Sequence, residues 1–129
     1  MIKLRLIGMI LLVLLTVSFA PAVEAGQAIL SWQAPTTNED GTPLTDLAGY
    51  KVYYGKVSAT YTIIKDIGNV LTYAITENAL TYTITGLGEG TWYFVVTAYN
   101  TIGTESAYSN EVSKVIKTVP SKPVGCTVQ

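Results

Sequence analysis

Short runs of alternating apolar and polar residues fill the chain from residue 26 onward, and no long stretch has the spacing of an amphipathic helix. The runs are rich in Thr, Tyr, Val and Ile, and clusters of Gly, Pro, Asn and Asp separate them. This pattern is typical of an all-β sandwich. The segments predicted as strands are Ala28–Trp32, Tyr50–Tyr54, Tyr61–Ile67, Trp92–Tyr99 and Asn110–Lys117.

A near-repeat lies between the third and fourth of these segments. Leu71–Thr76 and Leu80–Thr85 share a Leu-Thr-Tyr-x-Ile-Thr pattern at an offset of nine residues. The three residues between them can form a hairpin turn. The pattern predicts either one added strand or two segments that compete for one position in a sheet, and it is too short for a solenoid.

The first 25 residues have the order of a secretory signal peptide. Lys3 and Arg5 give a positive start, an uncharged apolar run follows, and small residues lead to Ala25. The run is shorter than the roughly 20 residues that span a bilayer. We therefore expect cleavage after Ala25 and export to the periplasm, the cell surface or the medium. A cut after Ala22 and an uncleaved membrane anchor are the alternatives.

Cleavage after residue 25 would leave one domain over residues 26–117 and a flexible tail over 118–129. The mature chain keeps six basic and eight acidic residues, a net charge of about −2, which favours neither nucleic acid nor an anionic membrane as a partner. A membrane contact would then need the uncleaved signal. Cys126 is the single cysteine, so it is either a tail residue without a role or the site of an intermolecular disulfide or attachment.

Four ordered motifs follow one another along the chain. They are residues 30–35, Leu-Ser-Trp-Gln-Ala-Pro, and residues 47–54, 82–98 and 106–112. In this order they resemble the second strand, the third strand, the paired fifth and sixth strands and the start of the seventh strand of the fibronectin type III domain, in the versions found on exported bacterial proteins. The resemblance covers residues 28–116, nearly the whole mature chain.

This resemblance implies an immunoglobulin-like sandwich of two antiparallel sheets, in which every second residue of a strand enters the core. Trp32 is expected near the centre of that core. The predicted core residues are Leu30, Trp32, Tyr50, Val52, Tyr54, Tyr82, Ile84, Leu87, Trp92, Phe94, Val96, Ala98 and Val112.

The start of the domain departs from the family pattern. Fibronectin-type sandwiches have an edge strand ahead of the Trp strand, yet only Gly26 and Gln27 would precede Ala28 after cleavage. That edge strand is therefore expected to be truncated or missing, and a bare edge invites pairing with another chain. The C-terminal tail, the Leu71–Thr76 segment or a partner strand can cover the edge, or the loss is tolerated.

A second departure is Trp92, which stands near the start of the sixth strand where relatives carry a corner tyrosine. The hydroxyl of that tyrosine bonds back to the backbone of the preceding turn. An indole has one donor and no hydroxyl oxygen, so we expect Trp92 to replace the bond only in part. Core packing is expected to matter more at this position, while Tyr93 points to the opposite face.

Residue types that commonly carry catalysis are scarce. The chain has no histidine, which excludes Ser-His-Asp and Cys-His arrangements. Gly86, Gly88 and Gly90 precede a strand rather than a helix, so they predict a tight turn and not a phosphate loop. We therefore expect no enzyme activity, no cofactor and no metal.

A cluster of acidic residues in the long polar loop leaves other readings open. Glu39, Asp40 and Asp46 are favoured as solvated turn residues. Calcium binding is an alternative, although their spacing matches no known calcium loop. A hydrolase with paired carboxylates is the other alternative.

The candidate binding residues lie on the outward side of the segments Tyr50–Tyr54 and Trp92–Tyr99, which correspond to the third and sixth strands of the family. Tyr53, Tyr93, Val95 and Tyr99 are expected to share one exposed surface, because these strands are neighbours in fibronectin-type domains. Aromatic rings with polar tips suit flat binding sites for proteins or sugars, although ordinary cross-strand pairing also explains them.

Two functional hypotheses follow. The favoured one is an exported, non-catalytic binding module with an unknown protein or carbohydrate partner, which uses this aromatic face or the loops at one end. The alternative is a structural spacer or subunit that associates through the bare edge of its first strand.

Overall fold

Six antiparallel strands are present in the computed structural model, which describes residues 26–69 and 79–129. They are β1 (Gly26–Trp32), β2 (Leu47–Gly55), β3 (Ile63–Gly68), β4 (Leu80–Leu87), β5 (Gly90–Asn100) and β6 (Val112–Ile116). β1 pairs with β4 in one sheet, and the other sheet has the order β3-β2-β5-β6. The all-β, two-sheet architecture predicted from the sequence is confirmed.

Two predicted segments lie outside the described residues. They are the signal peptide, residues 1–25, and the extra strand candidate Leu71–Thr76. Along the part of the chain that the structure describes, no helix has the length and apolar character needed to cross a membrane.

The central pair of the larger sheet is β2 and β5. β2 begins at Leu47, earlier than the alternation predicted, because Leu47 and Gly49 already pair with Asn100 and Tyr99. Gly49 is required here, since a Cβ at this position would lie 2.6 Å from the Cζ atom of Tyr99. The missing side chain lets the Tyr99 ring cross β2 and reach β3.

The inner faces of the two sheets form the core. Tyr50, Val52, Ile84, Leu87 and Phe94 are at most 2% exposed. Of the other predicted core residues, two are also buried, and most of the rest are partly buried and pack against the buried clusters. The buried pair is Leu30 and Trp92, and the partly buried residues are Trp32, Tyr54, Tyr82, Val96 and Ala98.

Trp32 lies at the boundary between the two buried clusters rather than inside one of them. It is the last residue of β1, and its ring meets the ring of Tyr50 edge-on at a centroid distance of 5.3 Å. No described residue accepts a hydrogen bond from its buried Nε1 atom. The expectation that Trp32 occupies the centre of the core is therefore corrected to a bridging position.

The prediction of Val112 as a core residue is wrong. Val112 pairs with Phe94, so it faces inward, but it is 46% exposed. It borders a groove of about 300 Å³ between the outer edge of β1 and the start of β6. No strand among residues 26–69 and 79–129 covers this seam between the sheets, which we call the seam groove. At the other end of β6, Ile116 is 8% exposed and completes the core in its place.

Trp92 makes both of the contacts considered for the corner position. Its ring is 8% exposed within the core. Its Nε1 atom donates a 2.8 Å hydrogen bond to the carbonyl oxygen of Gly88 in the β4–β5 turn. The turn itself needs glycine at Gly90, whose φ of 125° is one that other residues rarely adopt. The indole of Trp92 therefore makes a hydrogen bond back to the preceding turn in addition to its packing in the core.

Candidate functional site

The candidate site is the outer face of β2 and β5, where the predicted aromatic residues lie. Tyr53 stands opposite Val95, Tyr93 opposite Gly55, and Tyr99 opposite Gly49. Side chains on this side of the sheet therefore share one surface, as predicted. We define the tyrosine face by its five rings: Tyr53, Tyr61, Tyr93, Tyr99 and Tyr108.

Glu105 holds the middle of this surface. Its carboxylate accepts hydrogen bonds from Thr97 at 2.6 Å, from Lys51 at 3.1 Å, and from the hydroxyl of Tyr53. Burial raises the pKa of Glu105, but the hydrogen bonds from Thr97, Tyr53 and Lys51 together outweigh it, so the pKa is lower than usual. The same hydrogen bond raises the pKa of Tyr53 to about 12. Glu105 is therefore an anion at neutral pH, with its donors fixed around it.

Tyr108 crosses the face from the segment that follows β5. Its ring meets Tyr53 edge-on at 5.0 Å and Tyr61 edge-on at 5.5 Å. Ser106 and Ser109 bond through their backbone N–H groups to β5 carbonyls, which fixes this segment along the edge of the strand. Tyr108 itself remains 56% exposed. It is the most exposed of the five rings of the tyrosine face, because the other four are half-buried.

Glu111 fixes the far end of the face in the same manner. Its carboxylate accepts a 2.8 Å hydrogen bond from the N–H of Ala59, a 2.7 Å bond from Ser58, and one from the Tyr61 hydroxyl. The bond from Tyr61 lowers the pKa of Glu111 most, and it raises the pKa of Tyr61 to about 12. The loop before β3 is thus tied to the segment before β6.

Tyr99 is held at the opposite end by charged neighbours. Its hydroxyl donates a 2.9 Å hydrogen bond to Asp66 on β3, which raises the pKa of Tyr99. Lys51 lies 5.5 Å from the centroid of its ring. A third carboxylate therefore positions a third tyrosine of the face.

Val95 is not part of the exposed surface, and that prediction is wrong. The side chain is 2% exposed although it points outward. Tyr108 reaches Tyr53 from beyond the β5 edge and therefore passes over Val95, which lies between them. Thr97, the next outward residue, is also 2% exposed, beneath Glu105. Of the other predicted residues, Tyr53, Tyr93 and Tyr99 are half-buried.

Four residues that complete the site were missed from the sequence: Tyr61, Glu105, Tyr108 and Glu111. They lie in loops, where alternation carries no information about facing. The available signal was Tyr108, which lies between Glu105 and Glu111 just before β6. β6 pairs with β5, the strand that carries Tyr93 and Tyr99.

Chemically, the face offers ring surfaces and fixed carboxylates rather than a reactive group. Three tyrosine hydroxyls donate to carboxylates, so they are protonated and oriented at neutral pH. Rings held in this way can pack against a ligand without losing much side-chain freedom. The arrangement therefore favours non-covalent recognition.

The acidic loop borders a cleft of about 390 Å³ at one end of the sandwich, and Tyr99 and Glu105 of the tyrosine face also line it. Asp40 accepts hydrogen bonds from the hydroxyl of Thr42 at 2.6 Å and from its N–H at 3.0 Å, and the hydroxyl bond lowers the pKa of Asp40 most. Asn38 donates to the same hydroxyl at 2.9 Å. These contacts match the interpretation as turn residues. Across residues 26–69 and 79–129, no group of three acidic or cysteine side chains could hold a metal ion.

The two sheets and their pairing define an antiparallel β-sandwich of the immunoglobulin-like type. In a comparison with protein-family models, residues 15–115 match the fibronectin type III domain. The chain therefore belongs to the fibronectin type III family, whose domains are typically non-catalytic interaction modules. Comparisons with curated proteins and with solved structures gave no match.

Proposed function

We propose that the protein is an exported, non-catalytic module that binds a protein or carbohydrate ligand through the tyrosine face. The observation that carries the proposal is Tyr108, which is 56% exposed above the edges of two further tyrosine rings. Tyrosine is enriched at the buried centres of interfaces because it combines a large apolar ring with a polar tip.

The surroundings of Tyr108 support this use. Ile64 on β3 stands opposite Tyr53 and is 61% exposed, which adds an aliphatic side chain to the face. Glu105 and Glu111 hold two of the rings from below, so the surface is ordered before a ligand arrives. A preorganised surface binds more tightly because less conformational entropy is lost.

The chemistry of the chain supports a non-catalytic role. It contains no histidine, and its single cysteine is exposed in the tail. The two glutamates of the face act as hydrogen-bond acceptors for fixed donors. Neither has the raised pKa that a general acid needs at neutral pH.

Export rests on the sequence pattern of the first 25 residues. Amino-terminal sequencing of the protein recovered outside the cytoplasm tests it, and Gly26 is the expected first residue. Recovery of the intact N-terminus from the membrane fraction would instead support the uncleaved anchor.

The binding experiment uses two arrays, one of glycans and one of extended peptides. Once a bound probe is found, Tyr108→Ser is expected to weaken its binding by about tenfold or more, as truncation of a central tyrosine does. Ile64→Ser should weaken it less, because the side chain is smaller. Thermal unfolding of each variant shows that the fold is intact.

The matched control is Ile29→Ser, which removes an equally exposed isoleucine from the other sheet. Ile29 is 64% exposed on β1. Unchanged binding by this variant is the expected result. If Tyr108→Ser binds like the unmodified chain, the tyrosine face is not the binding surface, and the loop-end cleft becomes the remaining location.

A second candidate function is a structural subunit that associates through the outer edge of β1. The observation in its favour is that β1 has only β4 as a partner within the described residues, and a two-stranded sheet is weakly stable alone. Sedimentation of the full-length chain over a range of concentrations tests the idea, which predicts association. A strict monomer at high concentration contradicts it.

A further inference from the structure

The C-terminal segment has the pattern of an edge strand but belongs to no sheet. All residues from Lys117 to Gln129 are exposed, and Val124 and Val128 are 88% and 98% exposed. Val124, Cys126 and Val128 alternate with Gly125 and two polar residues. Gly125 has a φ of 72° in the isolated chain, and once it becomes extended, as glycine readily can, the three side chains share one face. Three apolar side chains on one side of an extended segment predict a partner that would bury them.

The seam groove offers a place of matching shape. It runs along β1 from Ala28 to Trp32 and is bounded on the other side by residues around Val112. Its volume of about 300 Å³ is twice that of a cavity, roughly 150 Å³, that can hold benzene. Several side chains of valine size can enter such a groove. Alternate N–H and C=O groups of β1 point toward it, and no strand among residues 26–69 and 79–129 pairs with them.

Chain direction decides which copy of the segment can enter. Gly26 and Ile116 lie side by side, since a Cβ on Gly26 would overlap the Ile116 side chain. β6 therefore ends where β1 begins. A segment that turned back from Ile116 along its own β1 would run parallel to it. An antiparallel segment must enter at the Trp32 end, and that end is remote from Ile116.

The linker favours leaving the domain over turning back. Residues before proline avoid the helical region, so Val119 and Lys122 are held extended by Pro120 and Pro123. Seven extended residues from Lys117 to Pro123 span about 20 Å. Val124 can therefore lie about 20 Å from Ile116, which lets the segment reach a second copy.

We propose, building on the second candidate function, that residues 123–129 of one copy add an antiparallel strand to β1 in the seam groove of a second copy. The small sheet would gain a third strand, with Val124, Cys126 and Val128 facing the groove beside Val112. Main-chain hydrogen bonds would supply affinity, and the buried side chains would supply register. Thr127 would then lie on the outer side of the sheet, level with the outward residues of β1.

A disulfide between copies tests the proposal. Cys126→Ser is introduced throughout, so that each chain carries only the cysteine placed by design. Full-length chain with Thr127→Cys is mixed with full-length chain bearing Ile29→Cys or Ser31→Cys, and the mixture is oxidised by air. Directly opposed residues of neighbouring strands have the separation that a disulfide requires. A mixed disulfide that joins the two kinds of chain can only be intermolecular.

The matched control is Thr83→Cys. Thr83 pairs with Ile29 and is also exposed, but it lies one strand further from the groove. A strand added to β1 would be about 10 Å from β4, which is beyond disulfide reach. We expect at least one β1 variant to give several-fold more mixed disulfide than Thr83→Cys. If neither exceeds this control, the proposal is wrong.

A truncated chain separates failure of this proposal from failure of the second candidate function. Removal of residues 119–129 is expected to abolish the association seen by sedimentation. Association that persists after truncation means that the β1 edge, or another surface, pairs without the segment. That result contradicts the proposal for residues 123–129 and does not contradict association itself. A full-length chain that is monomeric at every concentration overturns both.

Discussion

The Thr97 hydroxyl donates to the Glu105 carboxylate across 2.6 Å, and Thr97 is 2% exposed beneath it. Thr97→Val keeps the branched shape and removes the donor. We expect the free energy of unfolding to fall by about 1.5–2 kcal/mol, the lower part of the range for bonds to charged groups, because Glu105 is partly solvated. Urea denaturation followed by tryptophan fluorescence measures the change.

Thr83→Val is the control for that substitution. Thr83 is an exposed strand residue on β4. Its replacement should change stability by less than about 0.5 kcal/mol. Equal losses in the two variants would show that strand propensity, and not the bond to Glu105, determines the effect.

The tyrosines bonded to glutamates should titrate late. Hydrogen bonds to Glu105 and Glu111 raise the pKa of Tyr53 and of Tyr61 to about 12. The stability from these bonds is fully present below the unfolded pKa of about 10, and it is lost as the pH rises through about 12. We expect a late phase in the ultraviolet absorbance of tyrosinate.

The double variant Tyr53→Phe and Tyr61→Phe should lose the part of that late phase that two tyrosines contribute, while Tyr50 and Tyr99, whose pKa values are also raised, keep titrating late. Tyr93→Phe is the control, because it removes a tyrosine of the same face that belongs to neither glutamate pair. A late phase of unchanged amplitude in the double variant would contradict the assignment.

The two tryptophans should respond differently to replacement by phenylalanine. Trp92→Phe removes the 2.8 Å bond to Gly88 as well as ring volume from the core. We expect it to lower the free energy of unfolding by about 2 kcal/mol, from one hydrogen bond and a small cavity. Trp32→Phe should lower it less, since Trp32 is only partly buried at the end of β1. The reverse order in chemical denaturation would contradict this view of the corner bond.

A methyl group at Gly49 should disturb the tyrosine face. The added Cβ would meet the Tyr99 ring and the carbonyl carbon of Gly68, 2.8 Å away. Gly49→Ala is expected to cost about 1–3 kcal/mol of stability, as overpacking does. Gly88→Ala is the control, because no atom lies within 4 Å of its added Cβ. Similar thermal unfolding of the two variants would show that Tyr99 moves aside freely.

Strand alternation, read in the register of the family motifs, assigns inward and outward faces. It places Val52, Ile84 and Phe94 in the core, and each is buried. The paired strands β2 and β5 also carry the predicted tyrosines on one side. These features depend on the period of two along a strand, which any residue in the segment obeys.

The alternation of residues along a strand does not predict whether another segment covers one side of the sheet. Val95 points outward as predicted but is 2% exposed, and Val112 points inward as predicted but is 46% exposed beside an open seam. Both outcomes depend on segments remote in sequence. Likewise, Glu111 reaches Tyr61 across a sequence separation of 50 residues, which no local pattern encodes.

The adjacency of Gly26 and Ile116 also bears on how the gene for this domain could be rearranged. Because β1 begins beside the point where β6 ends, a short linker can join Ile116 to Gly26 and new termini can be opened in a surface loop. The exposed loop that contains Asn38 to Gly41 is the suitable opening, since it lies at the far end of β1. A circular permutant made in this way should keep a cooperative thermal transition, and the same geometry would let the domain be inserted whole into the loop of a host protein.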